Sequence, residues 1–250
     1  MGGNVFEGTT DFVHQSIDAL LHLVNNSILE GTNIECLPVG SAATPLQDAY
    51  SGDLDVLVDE GAVNAFFGTT NAKDGKKQLS NYINDRNFDT DIIGVNVHVK
   101  MPLGEDYHQL DIMVVANAKQ VADYHKHVIP EGSPYKGVHK QLALSKIAKE
   151  QGMLWSAWKG LYERNDKGKA GNLISYDYDT IVKKILGDNC TTKDAACLES
   201  ILATMPSNNA EVLMNDLVKD DKWDIPESAE LTRIKELAGL NLNSVKMICY

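Results

Sequence analysis

Apolar positions along this chain repeat with two different periods, and the change of period marks its elements. Residues 10–29, TDFVHQSIDALLHLVNNSIL, set Phe12, Val13, Ile17, Leu20, Leu21 and Val24 at helical spacing behind a possible cap at Thr10. Residues 34–39 form a short apolar run that ends in the turn Pro38-Val39-Gly40-Ser41, and 42–52 suit a loop or short helix. Residues 53–59, DLDVLVD, then alternate as a strand does: Asp53, Asp55 and Leu57 share one face, while Leu54, Val56 and Val58 share the other. Short helices are expected over 61–67 and 75–84, and strands over 92–101 and 109–115. In the last of these, Asp111 shares a face with Met113 and Val115, opposite Leu110, Ile112 and Val114.

The pattern changes near residue 130. Pro130, Gly132, Pro134 and Gly137 punctuate a linker-like stretch, and helical candidates follow at 137–149, 178–186, 193–204, 208–219 and 227–239. Met205-Pro206 stops the third of them, as a proline should. Trp155 and Trp158 stand three apart and read as packing residues of this helical part. The reading is α+β: strands interleaved with helices over 1–130, followed by a mainly helical region over 131–250.

Composition narrows the class without naming a chemistry. At 250 residues with 43% apolar content and a mean hydropathy of -0.24, the chain can bury one large core or two modest ones. No run approaches the roughly 18 apolar residues of a membrane span, and the first residues lack the pattern of a secretory signal. No membrane association is expected, and a cytoplasmic setting is. Cys36, Cys190, Cys197 and Cys249 make no pair of metal-ligand pairs, which fits a reducing compartment.

The net charge of -12 is unevenly spread. Residues 1–135 hold 19 acids against 7 bases, residues 136–169 hold 3 against 8, and residues 170–250 hold 13 against 8. Such acidity disfavours a long nucleic-acid track, whose affinity rests on phosphate neutralisation. The basic stretch at 136–169 reads either as a local contact for a triphosphate or short strand, or as the solvated side of a helix.

The candidate chemistry lies in the acids. Asp53 and Asp55 present carboxylates side by side on one strand face, and Asp111 on a neighbouring strand could complete a site for divalent metal. Strand-end exposure would explain Asp111 equally well, because only burial makes an ionised carboxylate costly. Magnesium suits hard oxygen ligands, and manganese would serve too. Gly40 and Ser41 could hold phosphate oxygens if a helix begins just beyond them. Other binding patterns are missing: there is no P-loop and no Gly-x-Gly-x-x-Gly turn after a strand, and the alternating acids of 53–59 lack the central glycine and terminal glutamate of an EF-hand calcium loop.

The ordered set Gly40-Ser41, an 11-residue spacer, Asp53-Leu54-Asp55 and a later Asp111 within QLDIM resembles the DNA polymerase beta-like nucleotidyltransferase superfamily. The resemblance covers roughly residues 30–116. It implies an α+β fold in which a nucleotidyltransferase-like mixed β-sheet flanked by helices forms a catalytic domain over 1–130, followed by a mainly helical nucleotide- or acceptor-supporting domain over 131–250. By that resemblance Asp53 and Asp55 would bind both metals and the triphosphate, Asp111 would bind the metal that activates the acceptor, and Ser41 would contact the terminal phosphates. The implied activity is Mg2+-dependent transfer of a nucleoside monophosphate from an NTP such as ATP to an acceptor. That acceptor would be an RNA or DNA end, a protein or a small molecule. The alternative is an inactive member of the fold that binds nucleotide or a partner. Lys140 and Lys146 are candidate triphosphate contacts, with ordinary surface lysines as the competing reading. Tyr176 is a candidate base-stacking or core aromatic residue. His98 and His108 make no recognised metal spacing with Asp111, so a structural or exposed role is expected of them.

Overall fold

A computed structural model describes residues 5–43, 49–126, 128, 130 and 133–218, without the side chains of Ser41 and Val218. The chain divides into two compact units, 1–126 and 127–250. The expected helix over 227–239 lies outside the described residues. Among the described residues no helix is long and apolar enough to cross a membrane.

The first unit opens with β1 (Phe12–Val13) and a single 3-10 turn, and only then begins α1 (Ile17–Leu23). The sequence pattern had the helix starting at Thr10. Instead the Thr10 amide donates to the Tyr107 carbonyl at 2.8 Å and His14 donates to the Ala49 carbonyl at 2.9 Å, so these amides already have partners elsewhere in the chain. Next come β2 (Leu37–Pro38), β3 (Tyr50–Ser51) and β4 (Asp53–Asp59). β2 is an edge strand, shorter than the apolar run at 34–39, and its Pro38 has no amide to donate. α2 (Glu60–Phe67) follows β4 directly, capped by Asp59, whose Oδ1 accepts from the Gly61 amide at 2.9 Å. α3 (Ala72–Asn84) starts three residues earlier than its apolar pattern, because the Asn71 side chain caps it by accepting from Asp74.

The expected strand at 92–101 is a hairpin of β5 (Thr90–Ile93) and β6 (Asn96–Leu103). Gly94, at φ +62°, opens its two-residue turn, and Ile92-Ile93 before it with Val95 after it let 92–101 read as one strand. β7 (Asp106–Val115) and α4 (Ala118–His125) complete the unit. Five strands form one mixed sheet in the order β2-β4-β7-β6-β5, with β4 and β7 parallel and the other pairs antiparallel.

The two faces of this sheet differ. Leu54, Val56 and Val58, with Val97, Val99, Met101, Leu110, Ile112 and Val114, belong to one buried cluster with Leu20 of α1, Val63 of α2 and Leu79 and Ile83 of α3. The opposite face carries Asp53, Asp55 and Asp111 at one end and the buried Leu57, Met113 and Val115 at the other. α4 packs on β2, β4 and β7, and its Ala118, Val121 and Tyr124 are buried outside the first cluster. That places α4 over the apolar end of the acid-bearing face.

The second unit carries α5 (Gly137–Glu150), then an antiparallel meander of β8 (Met153–Ser156), β9 (Gly160–Arg164) and β10 (Ala170–Ser175). α6 (Tyr178–Leu186), α7 (Leu198–Ala203) and α8 (Ser207–Val218) follow. The meander was not legible as periodicity. Trp155 lies on β8 and not on a helix, with its Nε1 donating to Gln141 of α5 at 3.0 Å and its ring stacked on Tyr178 of α6. Trp158 lies in the β8–β9 turn. The helix expected from residue 193 begins only at Leu198. Ahead of it, the Asp194 side chain accepts from the Thr191 amide and hydroxyl, a local turn that competes with helix.

Asp59 belongs to the same acidic strand as Asp53 and Asp55 but is spent on a helix cap. Asp59→Ala should lower stability by about 1 kcal/mol and leave divalent-cation binding unchanged. Chemical denaturation alongside a manganese titration checks both halves, and loss of cation binding in the folded variant would contradict this division of roles.

Candidate metal centre

Strand register brings the three acids together. In the parallel β4–β7 pair, Asp55 lies directly opposite Asp111 and Asp53 opposite Gln109. In the antiparallel β6–β7 pair, His98 lies opposite Asp111. Asp53, Asp55 and Asp111 each offer a carboxylate oxygen, and these oxygens all lie within 4.8 Å of one another. Asp53 and Asp55 are half-buried, and Asp111 is buried.

Three carboxylates at this separation oppose one another's ionisation. Burial, then the Asp53 and Asp111 charges, push the Asp55 carboxyl up to about 8. Burial and then Asp111 also raise Asp53, with His98 pulling the other way. Near neutral pH Asp55 therefore holds a proton that it would release to a cation, and the donors of the cluster are all hard oxygens.

Asp111 has protein partners as well. Its Oδ1 accepts from Gln109 Nε2 at 3.0 Å and lies 2.7 Å from His98 Nδ1, while its Oδ2 accepts from Asn96 Nδ2 at 3.3 Å. These bonds offset the cost of burying a carboxylate between strands. The strand-end explanation for Asp111 does not apply, since the residue sits mid-strand in β7. His98, Gln109 and Asn96 were not picked out as site residues from the sequence. Gln109 could have been, since it stands two residues from Asp111 on the same strand face.

The Gly-Ser turn reaches the same place. The Val39 amide donates to the Asp55 carbonyl at 3.0 Å, and Gly40–Ala42 make one 3-10 turn beyond it. A Cβ at Gly40 would stand 3.1 Å from Asp55 Oδ2, and φ there is +60°. Both the close approach and the left-handed backbone favour glycine. The Ser41 side chain lies outside what is described, as do residues 44–48, where a helix was considered.

Lys140 and Lys146 lie on α5 in the second unit. Lys140 is buried, with Nζ 5.7 Å from the Tyr178 ring centre, and burial pushes its amine down to about 8. Lys146 makes a half-exposed ion pair with Asp216 of α8 at 3.5 Å. Tyr176 hydrogen-bonds Tyr162; burial first, then this bond, pushes the Tyr162 hydroxyl up to about 12. His108 is buried, its Nδ1 2.9 Å from the Thr10 carbonyl and its ring edge-on to Phe12, a structural role.

Comparison of the sequence with protein-family models and with curated proteins finds no match.

The raised Asp55 carboxyl sets a pH dependence. Between its ordinary value of 3.8 and about 8 the native state holds a proton that the unfolded chain has released. Stability without metal should therefore fall as pH rises through that window. Asp55→Asn removes the Asp55 share of this dependence and leaves that of Asp53, so in chelator the variant should melt above the wild type at pH 9 with a shallower pH profile, and magnesium should raise the wild type more. Thermal melts from pH 5 to 9 test this, and parallel profiles for the two proteins would contradict it.

Proposed function

We propose that the first unit is a metal-dependent nucleotidyltransferase, transferring a nucleoside monophosphate from an NTP to a hydroxyl or phosphate acceptor with release of pyrophosphate. The observation that carries this reading is the meeting of Asp53, Asp55 and Asp111 within 4.8 Å, beside a glycine turn that comes before them in the chain. Order and convergence together match the superfamily pattern that the sequence resembles.

The residues fit Mg2+ or Mn2+ by donor chemistry and by the mutual repulsion that a dication would relieve. Bound there, such ions would lower the proton affinity of the attacking hydroxyl and balance charge on the triphosphate and departing pyrophosphate. Asp53 and Asp55 would hold both ions and, through them, the triphosphate. Asp111 would hold the ion on the acceptor side. Gly40 keeps the turn beside Asp55 free of side-chain bulk, leaving the backbone and Ser41 able to meet phosphate oxygens. Lys140 and Lys146 carry less of the proposal, one buried beside Tyr178 and the other paired with Asp216. A cytoplasmic setting is part of the same proposal; Cys36, Cys190 and Cys197 are free thiols among the described residues.

One observation favours the second reading, an inactive fold that binds nucleotide or a partner. Asp111 already has an imidazole against it and so has a structural reason to be there. Catalysis separates the two. Incubation with each labelled triphosphate, magnesium and RNA, DNA, protein or small-molecule acceptors should release pyrophosphate and label one acceptor. Asp53→Asn, Asp55→Asn and Asp111→Asn should each lower transfer roughly a thousandfold or more, because a metal contact supplies several kcal/mol to the barrier. Transfer retained by the folded triple variant would remove the proposal.

A further inference from the structure

The donors around Asp111 divide its two oxygens unequally. Oδ1 receives Gln109 Nε2 at 3.0 Å and His98 Nδ1 at 2.7 Å, two short bonds that use both of its lone pairs. Oδ2 has one long contact, 3.3 Å from Asn96. His98 Nδ1 faces a carboxylate and is therefore the protonated nitrogen, as the hydrogen-bond network assigns it.

The orientation of Gln109 is also fixed. The Val5 amide donates to its Oε1 at 2.7 Å, which turns its Nε2 toward Asp111. The sheet sets the rest: His98 is directly cross-strand from Asp111, Gln109 precedes it by two on the same face, and Asn96 precedes His98 by two. His98 is buried, with 6% of its surface exposed, and Gln109 with 1%. A buried donor pair on a carboxylate that shares a metal-ligand cluster is the usual way an outer shell fixes ligand orientation.

We infer that His98 and Gln109 are positioning residues which occupy Asp111 Oδ1 and leave Oδ2 as the oxygen that Asp111 gives to a divalent cation. This rests on the metal-dependent reading above. It adds that Asp111 serves as a one-oxygen ligand, and that its contribution depends on an imidazole Nδ1–H, not on the bulk of a histidine. Outer-shell substitutions of this kind cost about 10- to 100-fold in metal affinity.

The test is Mn2+ binding to the full chain at pH 7.5, followed by electron paramagnetic resonance of the free ion. It needs no acceptor and no turnover. His98→Leu should weaken binding about 10- to 100-fold. His98→Asn should stay within about threefold of wild type, because its amide nitrogen sits where Nδ1 sits; His98→Gln, whose nitrogen falls near the Nε2 position, should behave like His98→Leu. A cooperative melt establishes that each variant is folded. Wild-type affinity in folded His98→Leu would overturn the inference and leave the proposed function standing. Should His98→Leu fail to fold, equal affinities for the Asn and Gln variants would overturn it. Wild-type protein that binds no Mn2+ would overturn the inference and the proposed function together.

Discussion

The parallel pairing of β4 with β7 is the constraint on which the first unit turns. Its register sets Asp55 against Asp111 and brings Asp53 alongside, so a sheet that buries nine apolar side chains on one face must crowd three carboxylates on the other. Neither face can be moved independently. A one-residue slip of β4 would carry Leu54, Val56 and Val58 out of the core and the acids into it. The apolar face thus holds the acidic face in its unfavourable arrangement, and the stability of the core offsets the repulsion among the acids.

That repulsion is relieved in different ways at the three positions. Asp111 is buried deepest and has His98, Gln109 and Asn96 around it. Asp55 has no such set of side-chain donors among the hydrogen bonds described, and burial with two neighbouring charges pushes it up to about 8. Asp53, at the first position of β4, is half-buried and also raised. One carboxylate is fixed by protein and two remain short of positive charge, an arrangement suited to a cation approaching from the Asp53–Asp55 side.

Much of this was legible in the chain because alternation over 53–59 and 109–115 reports strand faces directly. β4 is where the pattern put it, β7 begins three residues earlier at Asp106, and the acids share a face. Strand order was not legible, since nothing local to DLDVLVD says that QLDIMVV lies beside it. His98 was hidden because the apolar patterns of 92–101 and 109–115 leave seven residues between them, which conceals that β6 and β7 form one hairpin. The tight loop at Gly104-Glu105 held the missing signal, because pairing Leu103 with Asp106 necessarily sets His98 opposite Asp111. In the second unit, strands of four to six residues gave too little alternation to stand out from helix. Lys140 looked like a surface lysine and is buried, since helical spacing alone could not tell which side of α5 faces the unit's interior.

The proposed function requires that the three acids together bind divalent cation. Anomalous diffraction from crystals of the full chain grown with Mn2+ and collected on the high-energy side of the manganese edge tests it directly. An anomalous peak within coordination distance of Asp53, Asp55 and Asp111, with Asp111 contributing Oδ2, is the expected result. Well-ordered carboxylates with no peak among them, or manganese found only elsewhere on the chain, would contradict it.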